Sequence, residues 1–287
     1  MHRNKSRFSN NMKIAVNISL VPEMPDTPHF HPENLEELIH SASSLGYDGI
    51  EIFPKSAKTF PVKQVKKLLV DCGMELCVIG SGAGKVLYNY TFTDPNPSIR
   101  KKAVEYVSSL IEVASEFGAM MMVGSMQGNI SGRVPKEDAI LWLSECISRL
   151  EEVSKRNGIV LVFEPINRYE TNLINTLKQG CDLIRSISRV SNNLKIAADM
   201  FHMNIEEVDP AEAICEAKDF IAHYHFVDSN RLAPGMGHTD FKSIAGALAE
   251  TRYEGYLSIE CFTGNDPEQA MKKTMDTYNK YFKIKSL

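Results

Sequence analysis

The sequence predicts an α/β fold, a single (β/α)8 barrel of the TIM type, on the basis of three observations. Short apolar segments alternate with amphipathic segments from end to end, several of the apolar segments are nearly continuous in Val, Ile, Leu and Met, and no break in composition divides the chain. Continuous apolar runs are typical of parallel strands that are covered on both faces. The length of 287 residues suits one domain, because such barrels need about 250 residues. A doubly wound open sheet is the alternative.

Eight strands are expected, at residues 13–18, 48–53, 75–79, 119–123, 159–164, 194–199, 221–227 and 256–261. The helices between them have recognisable ends. In the segment 135–157, apolar residues recur at spacings of three and four, a proline occupies the first turn, and Gly158 follows as a C-terminal cap. Asn96-Pro97 and Gly118 bound the helix before the fourth strand in the same way, and a last helix is expected over 267–284.

Composition limits the class of protein. The first residues, MHRNKSRFSNN, are basic and polar with no apolar segment behind them, so we expect a disordered tail over 1–11 and a catalytic barrel over 12–287. No apolar run approaches the roughly 20 residues that cross a bilayer, and no membrane partner is expected. The net charge of −4 argues against nucleic-acid binding, which needs a basic face. The six cysteines contain no CxxC pair, which is typical of a reduced, cytoplasmic protein.

Ligand-type residues end four successive apolar segments, and they are Glu164, Asp199, His225 and Glu260. A single acidic residue often ends a strand simply because the chain meets water there. Four in series favour a functional site, since barrels place their chemistry at the C-terminal ends of strands. Three carboxylates and one imidazole suit a divalent cation, and a set so rich in oxygen favours Mn²⁺ or Mg²⁺ over a thiolate-type zinc site.

Further polar residues follow on the same loops, among them Glu170, His202 and Arg231. This polar density predicts a cleft for a polyhydroxylated or anionic substrate. The glycine-rich segment Gly80–Lys85 departs from a phosphate-binding loop at both ends, so we interpret it as a flexible loop that can line a pocket. We interpret His29 and its neighbour His31 as loop residues, because nothing near them in the sequence completes a metal site.

Several segments resemble the sugar isomerase/epimerase family of xylose-isomerase-like barrels, and most of all its ketose 3-epimerases, which act on D-tagatose or D-psicose (allulose). The segments are Phe163–Asn172, Asp199–Glu207, His225–Arg231, Ala233–Phe241 and Ser258–Glu260. The resemblance is dense over 159–262 and weaker over 12–158. Its specific motifs are Glu-Pro-x-Asn-Arg-Tyr-Glu and Asp-x-Phe-His-Met-Asn, taken together.

The resemblance implies one divalent ion, Mn²⁺ with Mg²⁺ or Co²⁺ as alternatives, held by the four ligand-type residues. It implies that Glu170, His202 and Arg231 contact the substrate. We expect Glu164 and Glu260 to act as an acid/base pair that inverts C3 of a ketose or ketose phosphate through an enediolate. The expected partner is a small sugar, and we expect a dimer or tetramer.

Other activities on the same fold stay open. An aldose–ketose isomerase of the hydroxypyruvate type uses the same enediolate chemistry but moves the proton between C1 and C2. A related sugar dehydratase, an endonuclease-like enzyme and a sugar-binding protein without activity are further alternatives.

Overall fold

Eight parallel strands form a closed barrel in chain order in the computed structural model, which describes residues 12–130, 132, 134–187, 193–264 and 266–283. The strands are β1 (Lys13–Ser19), β2 (Gly49–Phe53), β3 (Glu75–Gly80), β4 (Met120–Val123), β5 (Leu161–Phe163), β6 (Leu194–Asp199), β7 (Ile221–His225) and β8 (Tyr256–Ile259). Pairing of β1 with β8 closes the barrel. The predicted (β/α)8 fold is therefore confirmed. The tail predicted over 1–11 lies outside the described residues.

Helices connect the strands. Within the described segments they are α1 (Leu35–Leu45), α2 (Val62–Cys72), α3 (Ala83–Tyr88), α4 (Pro97–Ser115), α5 (Lys136–Arg156), α6 (Leu177–Ile187), α7 (Met200–Glu206), α8 (Pro210–Ala217), α9 (Phe241–Glu250) and α10 (Pro267–Tyr281). Side chains cap many of their N-termini; the Asn96 side chain, for example, accepts a hydrogen bond from the backbone N–H of Ser98. The three helices predicted with explicit ends are present with bounds shifted by up to three residues, which is the usual uncertainty of helix ends.

Three strands end earlier than the apolar pattern predicts. β5 ends at Phe163 and β8 ends at Ile259, so Glu164 and Glu260 each follow the last strand residue directly. β7 ends at His225, while Phe226 and Val227 are fully buried in the core outside the strand. The apolar pattern reports burial and not strand pairing, and for this reason it overestimates strand length here.

Polar side chains occupy the interior of the barrel near its C-terminal end. Alternate residues of a strand point to the same face. Ala15 therefore shares a face with Asn17, and Ala197 shares one with Asp199. Val162 and Glu164 have the same spacing at the end of β5. Together with Met122, these three apolar residues belong to a small buried apolar cluster. The polar layer above this cluster is where the candidate site lies.

Candidate metal centre and active site

The four predicted metal-ligating residues converge on one point. Each offers a ligand atom within 4.8 Å of the others, and all four are buried. Nδ1 of His225 lies 3.0 Å from Oε1 of Glu164, 3.3 Å from Oδ2 of Asp199 and 3.5 Å from Oε2 of Glu260. Three buried carboxylates at this spacing repel one another when they are ionised, and a bound divalent cation would offset this electrostatic repulsion.

One oxygen tests whether this set fits a cation. Oε1 of Glu164 is buried, and among the described residues it has no hydrogen-bond partner, although Nδ1 of His225 lies 3.0 Å away. The angle between the two groups therefore does not suit a hydrogen bond. Buried polar atoms without partners are rare in native proteins. The unsatisfied oxygen and the oxygen-rich donor set both fit a divalent metal ion.

Asp199 is oriented by the helix that follows it. As the N-cap of α7, its Oδ1 accepts hydrogen bonds from the backbone N–H groups of Phe201 at 2.6 Å and His202 at 3.1 Å. Oδ2 is thereby left to face Nδ1 of His225 at 3.3 Å. The capping geometry thus assigns one oxygen of this carboxylate to the helix and the other to the candidate metal centre.

A glycine gives the Glu164 carboxylate its space. Gly124 follows β4, and a Cβ atom at this position would overlap Oε2 of Glu164. The side chain of Glu164 can therefore reach the centre only because residue 124 has none.

The two glutamates of the cluster differ in protonation. Burial raises the pKa of Glu164 to about 7, and the facing carboxylates of Glu260 and Asp199 add to this effect against the opposing influence of His225. Burial also disfavours ionisation of Glu260, but His225 and Arg231 together hold the pKa of Glu260 below its usual value. Without a metal ion, the surroundings therefore favour the protonated form of Glu164 more than that of Glu260.

The three predicted substrate contacts lie side by side next to this cluster. Nη2 of Arg231 donates to Oε2 of Glu260 at 2.6 Å, and Nη1 lies 3.3 Å from Nε2 of His202 and 4.0 Å from Oε1 of Glu170. The guanidinium group also stacks over the ring of Phe201, 4.6 Å from its centroid. Arg231, His202 and Glu170 therefore form one continuous polar surface.

His202 is held by the loop that follows β5. Its Nδ1 accepts a hydrogen bond of 3.3 Å from the backbone N–H of Asn167, whose side-chain amide donates to Oε1 of Glu170 at 2.9 Å. Burial lowers the pKa of His202, against the influence of Asp199, so the imidazole is neutral near pH 7.

The loop that carries Arg231 is organised around Asp228. The buried carboxylate of Asp228 accepts hydrogen bonds from the backbone N–H groups of Ser229 at 2.7 Å, Gly235 at 2.8 Å and Thr239 at 3.0 Å. Arg231 has a φ of +58°, a left-handed conformation that is uncommon for residues other than glycine and that often marks functional positions.

Glu51 and His223 belong to the site but were not predicted from the sequence. Glu51 is fully buried on β2, where its Oε2 lies 3.0 Å from Nε2 of His223 and its Oε1 lies 3.2 Å from Nε2 of His225. Burial alone would raise the pKa of Glu51, but the imidazoles of His225 and His223 hold it well below its usual range. Two signals were available: Glu51 is the charged residue of the apolar strand GIEIF, and His223 precedes His225 by two positions, which places both on one face.

His29 was also missed, because it was interpreted as a loop residue only. It does lie in the β1–α1 connection, but its side chain is buried and its Nε2 is 3.4 Å from Oε1 of Glu260. The imidazole packs against Phe53 with ring centroids 4.4 Å apart. Its two ring nitrogens have no hydrogen-bond partner among the described residues.

A cavity of about 280 Å³ opens beside the cluster. Its wall includes Glu164, Glu260, Arg231, His29, Phe53 and Lys85. The glycine-rich segment Gly80–Lys85 lines the cavity as predicted, but its description as a flexible loop was wrong for residues 83–85, which form the first turn of α3. Gly82 lets the ring of Phe53 approach closely, because a Cβ atom there would lie only 2.8 Å from that ring.

Comparison with known proteins identifies the family. Residues 39–281 match the family described as xylose isomerase-like TIM barrel. The chain belongs to the xylose isomerase-like TIM barrel family. The resemblance noted in the sequence is thereby confirmed.

Several relatives of the chain are epimerases. The chain is 30% identical over 258 residues to 3-dehydro-D-guloside 4-epimerase of Escherichia coli, a match that covers 86% of this chain and 94% of the relative. It is 27% identical over 233 residues to D-psicose 3-epimerase of Ruminiclostridium cellulolyticum, covering 78% and 77%. The crystal structure of 3-keto-D-glucoside 4-epimerase from E. coli superposes with a TM-score of 0.78 at 26% identity and covers 92% of this chain and 98% of that one.

These relatives confirm that the chain is an isomerase of the epimerase type. The cluster of carboxylates and imidazole is one that can bind a divalent metal ion. Among the described residues, no helix combines the length and apolar character that crossing a membrane requires. The expected dimer or tetramer stays a prediction.

Proposed function

We propose that this family member is a metal-dependent sugar epimerase that inverts the carbon next to a ketone, with C3 of a ketose or ketose phosphate as the first candidate. The observation that carries this proposal is the pair Glu164 and Glu260, whose carboxylates both lie within 3.5 Å of Nδ1 of His225 and both line the cavity. Epimerisation needs one group to remove a proton and another to return one on the opposite face.

The four converging side chains would hold one divalent ion, with Mn²⁺ as the first candidate and Mg²⁺ or Co²⁺ as alternatives. When bound, such an ion supplies a Lewis acid that polarises the ketone oxygen and so acidifies the neighbouring C–H bond. The names of relatives such as D-psicose 3-epimerase support C3 of a ketose as the carbon that is inverted.

The glutamates divide the proton transfers between them. Glu260 would remove the proton from the substrate carbon, because His225 and Arg231 lower its pKa and so favour the ionised form that can accept a proton. Glu164, whose burial favours the protonated form in the metal-free site, would deliver a proton to the other face through the carboxylate oxygen that the ion does not use. In the reverse reaction the two roles are exchanged. A pair of acids whose environments separate their pKa values is the arrangement expected of an acid/base couple.

Arg231, His202 and Glu170 would orient the substrate hydroxyls. Arg231 is permanently charged and contacts Oε2 of Glu260, so it stabilises negative charge that develops next to the base. The neutral imidazole of His202 can donate one hydrogen bond and accept another. Glu170 is partly exposed, with a side-chain accessibility of 45%, and its carboxylate can accept hydrogen bonds from sugar hydroxyls.

The far wall of the cavity would determine which sugar fits. Phe53 offers an apolar face to carbon-bound hydrogens, and the ring nitrogens of His29, which have no hydrogen-bond partner in the described part of the chain, can bond a hydroxyl. Lys85 is half-buried in the same wall, and burial lowers its pKa. Its ammonium group can contact a hydroxyl or a phosphate, so both free and phosphorylated ketoses are candidate substrates.

A second candidate is inversion at C4 of a sugar that carries its ketone at C3. The relative with 30% identity, whose name gives this reaction, favours it. The chemistry is the same, because the inverted carbon is again adjacent to the ketone. The two candidates differ only in how the sugar is placed relative to the glutamate pair.

Deuterium incorporation distinguishes these activities. The Mn²⁺-loaded protein is incubated in D2O with free ketoses, ketose phosphates and 3-keto glycosides, and the products are examined by NMR. Deuterium at C3 of a ketose supports the first candidate, and deuterium at C4 of a 3-keto sugar supports the second. Deuterium at C1 identifies an aldose–ketose isomerase, and no incorporation with any substrate would overturn the proposal. The matched control is the same protein after chelation.

A further inference from the structure

Glu51 has no part in the proton transfers proposed above, yet it lies at the centre of a buried polar network. Its side chain contacts three donors: Nδ2 of Asn17 at 3.0 Å, Nε2 of His225 at 3.2 Å and Nε2 of His223 at 3.0 Å. Each of these four residues is at most 1% exposed. A carboxylate so deeply buried is retained only where its hydrogen bonds offset its loss of hydration.

The positions of the protons follow from counting donors and acceptors. An ionised carboxylate can only accept hydrogen bonds, so the Nε2 atoms of both histidines must carry hydrogen. The remaining nitrogen of His223, Nδ1, has no partner among the described residues. An N–H group there would be a buried donor without an acceptor, which is costly. His223 is therefore neutral and donates through Nε2.

The same count applied to His225 determines how it can bind a metal ion. In the structure Nδ1 is within hydrogen-bond distance of Oδ2 of Asp199 and so carries a proton. When a metal ion displaces that proton while Nε2–H still donates to Glu51, neutral His225 has its lone pair on Nδ1. That atom is the one directed at the oxygens of Glu164, Asp199 and Glu260. Imidazole ligands of metals commonly donate their other ring N–H to a carboxylate, which fixes both the tautomer and the ring orientation.

We propose that Glu51 is a positioning residue that holds His225 as the Nε2–H tautomer, so that Nδ1 is free to bind the divalent ion. The inference rests on the proposed metal-dependent function. Without Glu51, no acceptor would hold the proton of neutral His225 on Nε2, and the three carboxylates around Nδ1 would favour the Nδ1–H tautomer, which cannot bind the ion through that atom. Glu51 is suited to accept from Nε2–H, because β2 is buried along its whole length and pairs with β1 at Asn17.

The tautomer can be observed directly in the wild-type protein. Protein labelled with ¹⁵N-histidine and loaded with diamagnetic Mg²⁺ is studied by long-range ¹H–¹⁵N correlation NMR, and His225 is assigned by comparison with a His225→Gln sample. We expect a protonated Nε2 and an unprotonated Nδ1. A protonated Nδ1 in the Mg²⁺-loaded protein overturns the inference without any variant having to fold.

Metal affinity provides an independent test. In Glu51→Gln the side chain keeps its size but loses its charge, and its NH2 group has to face one of the donors. We expect the dissociation constant for Mn²⁺, measured by calorimetry on metal-free protein, to rise by about 10- to 100-fold. Circular dichroism checks that the variant is folded.

The matched control is Glu75→Gln, at the opposite end of the barrel, where Glu75 accepts hydrogen bonds from Lys13 and Tyr256. This variant should bind Mn²⁺ as the wild type does. Wild-type affinity in Glu51→Gln contradicts the inference about Glu51 alone. Failure of the wild-type protein to bind Mn²⁺ would instead contradict the proposed function.

Discussion

Arg231 and Glu260 are joined by a hydrogen bond of 2.6 Å between Nη2 and Oε2, the glutamate oxygen that also faces Nδ1 of His225. The arginine side chain is only 12% exposed, so this contact differs from the weak ion pairs of protein surfaces. It connects the proposed substrate surface to the proposed base. Substitutions at residue 231 should therefore affect catalysis more than they affect folding.

Arg231→Lys should lower kcat/KM by about 10- to 100-fold, the equivalent of one charged hydrogen bond of about 1.5–3 kcal/mol. Lysine keeps the charge but loses the planar set of donors that reaches Glu260 and His202 together. Steady-state kinetics and a metal assay are run together, and the metal content should stay the same. The control is Arg185→Lys, which alters an exposed ion pair with Asp182. Equal kinetics in the two variants would remove Arg231 from the site.

Glu164→Gln and Glu260→Gln should each lower kcat by at least about 10² to 10⁴, the range expected for the loss of general acid–base catalysis. Each amide is similar in size to the carboxylate it replaces, so both variants should fold. Turnover is measured at saturating Mn²⁺, so that weaker metal binding does not hide the effect on proton transfer. Near wild-type turnover in either variant would refute its role.

Metal removal should abolish activity and lower the thermal unfolding midpoint. Without a cation, three buried carboxylates face one imidazole nitrogen. A cation present at 100 times its dissociation constant would stabilise the folded state by about 2.7 kcal/mol. For a protein of this size we expect the midpoint to fall by several degrees after chelation. Mn²⁺ or Co²⁺ should restore both activity and midpoint. An unchanged midpoint and full activity in the presence of chelator would contradict the metal site.

Gly124→Ala should damage the centre without touching any of its ligands. The added methyl group overlaps Oε2 of Glu164, so the carboxylate has to move and Mn²⁺ affinity should fall. Calorimetry with Mn²⁺ measures the effect, and circular dichroism checks the fold. The control is Gly246→Ala in α9, where no atom lies within 4 Å of the new methyl group and alanine should stabilise the helix by about 0.5–1 kcal/mol. Equal Mn²⁺ affinity in both variants would show that Glu164 tolerates displacement.

The sequence was sufficient for the fold and for bringing the ligand candidates together, because both depend on regular periodicity. Glu164, Asp199, His225 and Glu260 each end an apolar segment, and a parallel barrel collects such ends on one side. Residues inside or far from those segments were harder to place. Glu51 lies within an apolar strand, and His29 reaches Glu260 across more than two hundred residues of chain. The charge inside an apolar strand marks Glu51 as unusual, but which residues it contacts depends on barrel closure, which the local pattern does not encode.

The double use of Asp199 explains why this position requires the shorter acid. Its Oδ1 caps α7 and its Oδ2 faces the centre, and both contacts depend on a carboxylate held one methylene from the backbone. A glutamate is a poor N-cap because its longer side chain does not return easily to the following N–H groups. Glu164 and Glu260 cap no helix, and the extra methylene gives them reach. The choice between aspartate and glutamate around the barrel is therefore dictated by the local backbone as much as by the ion.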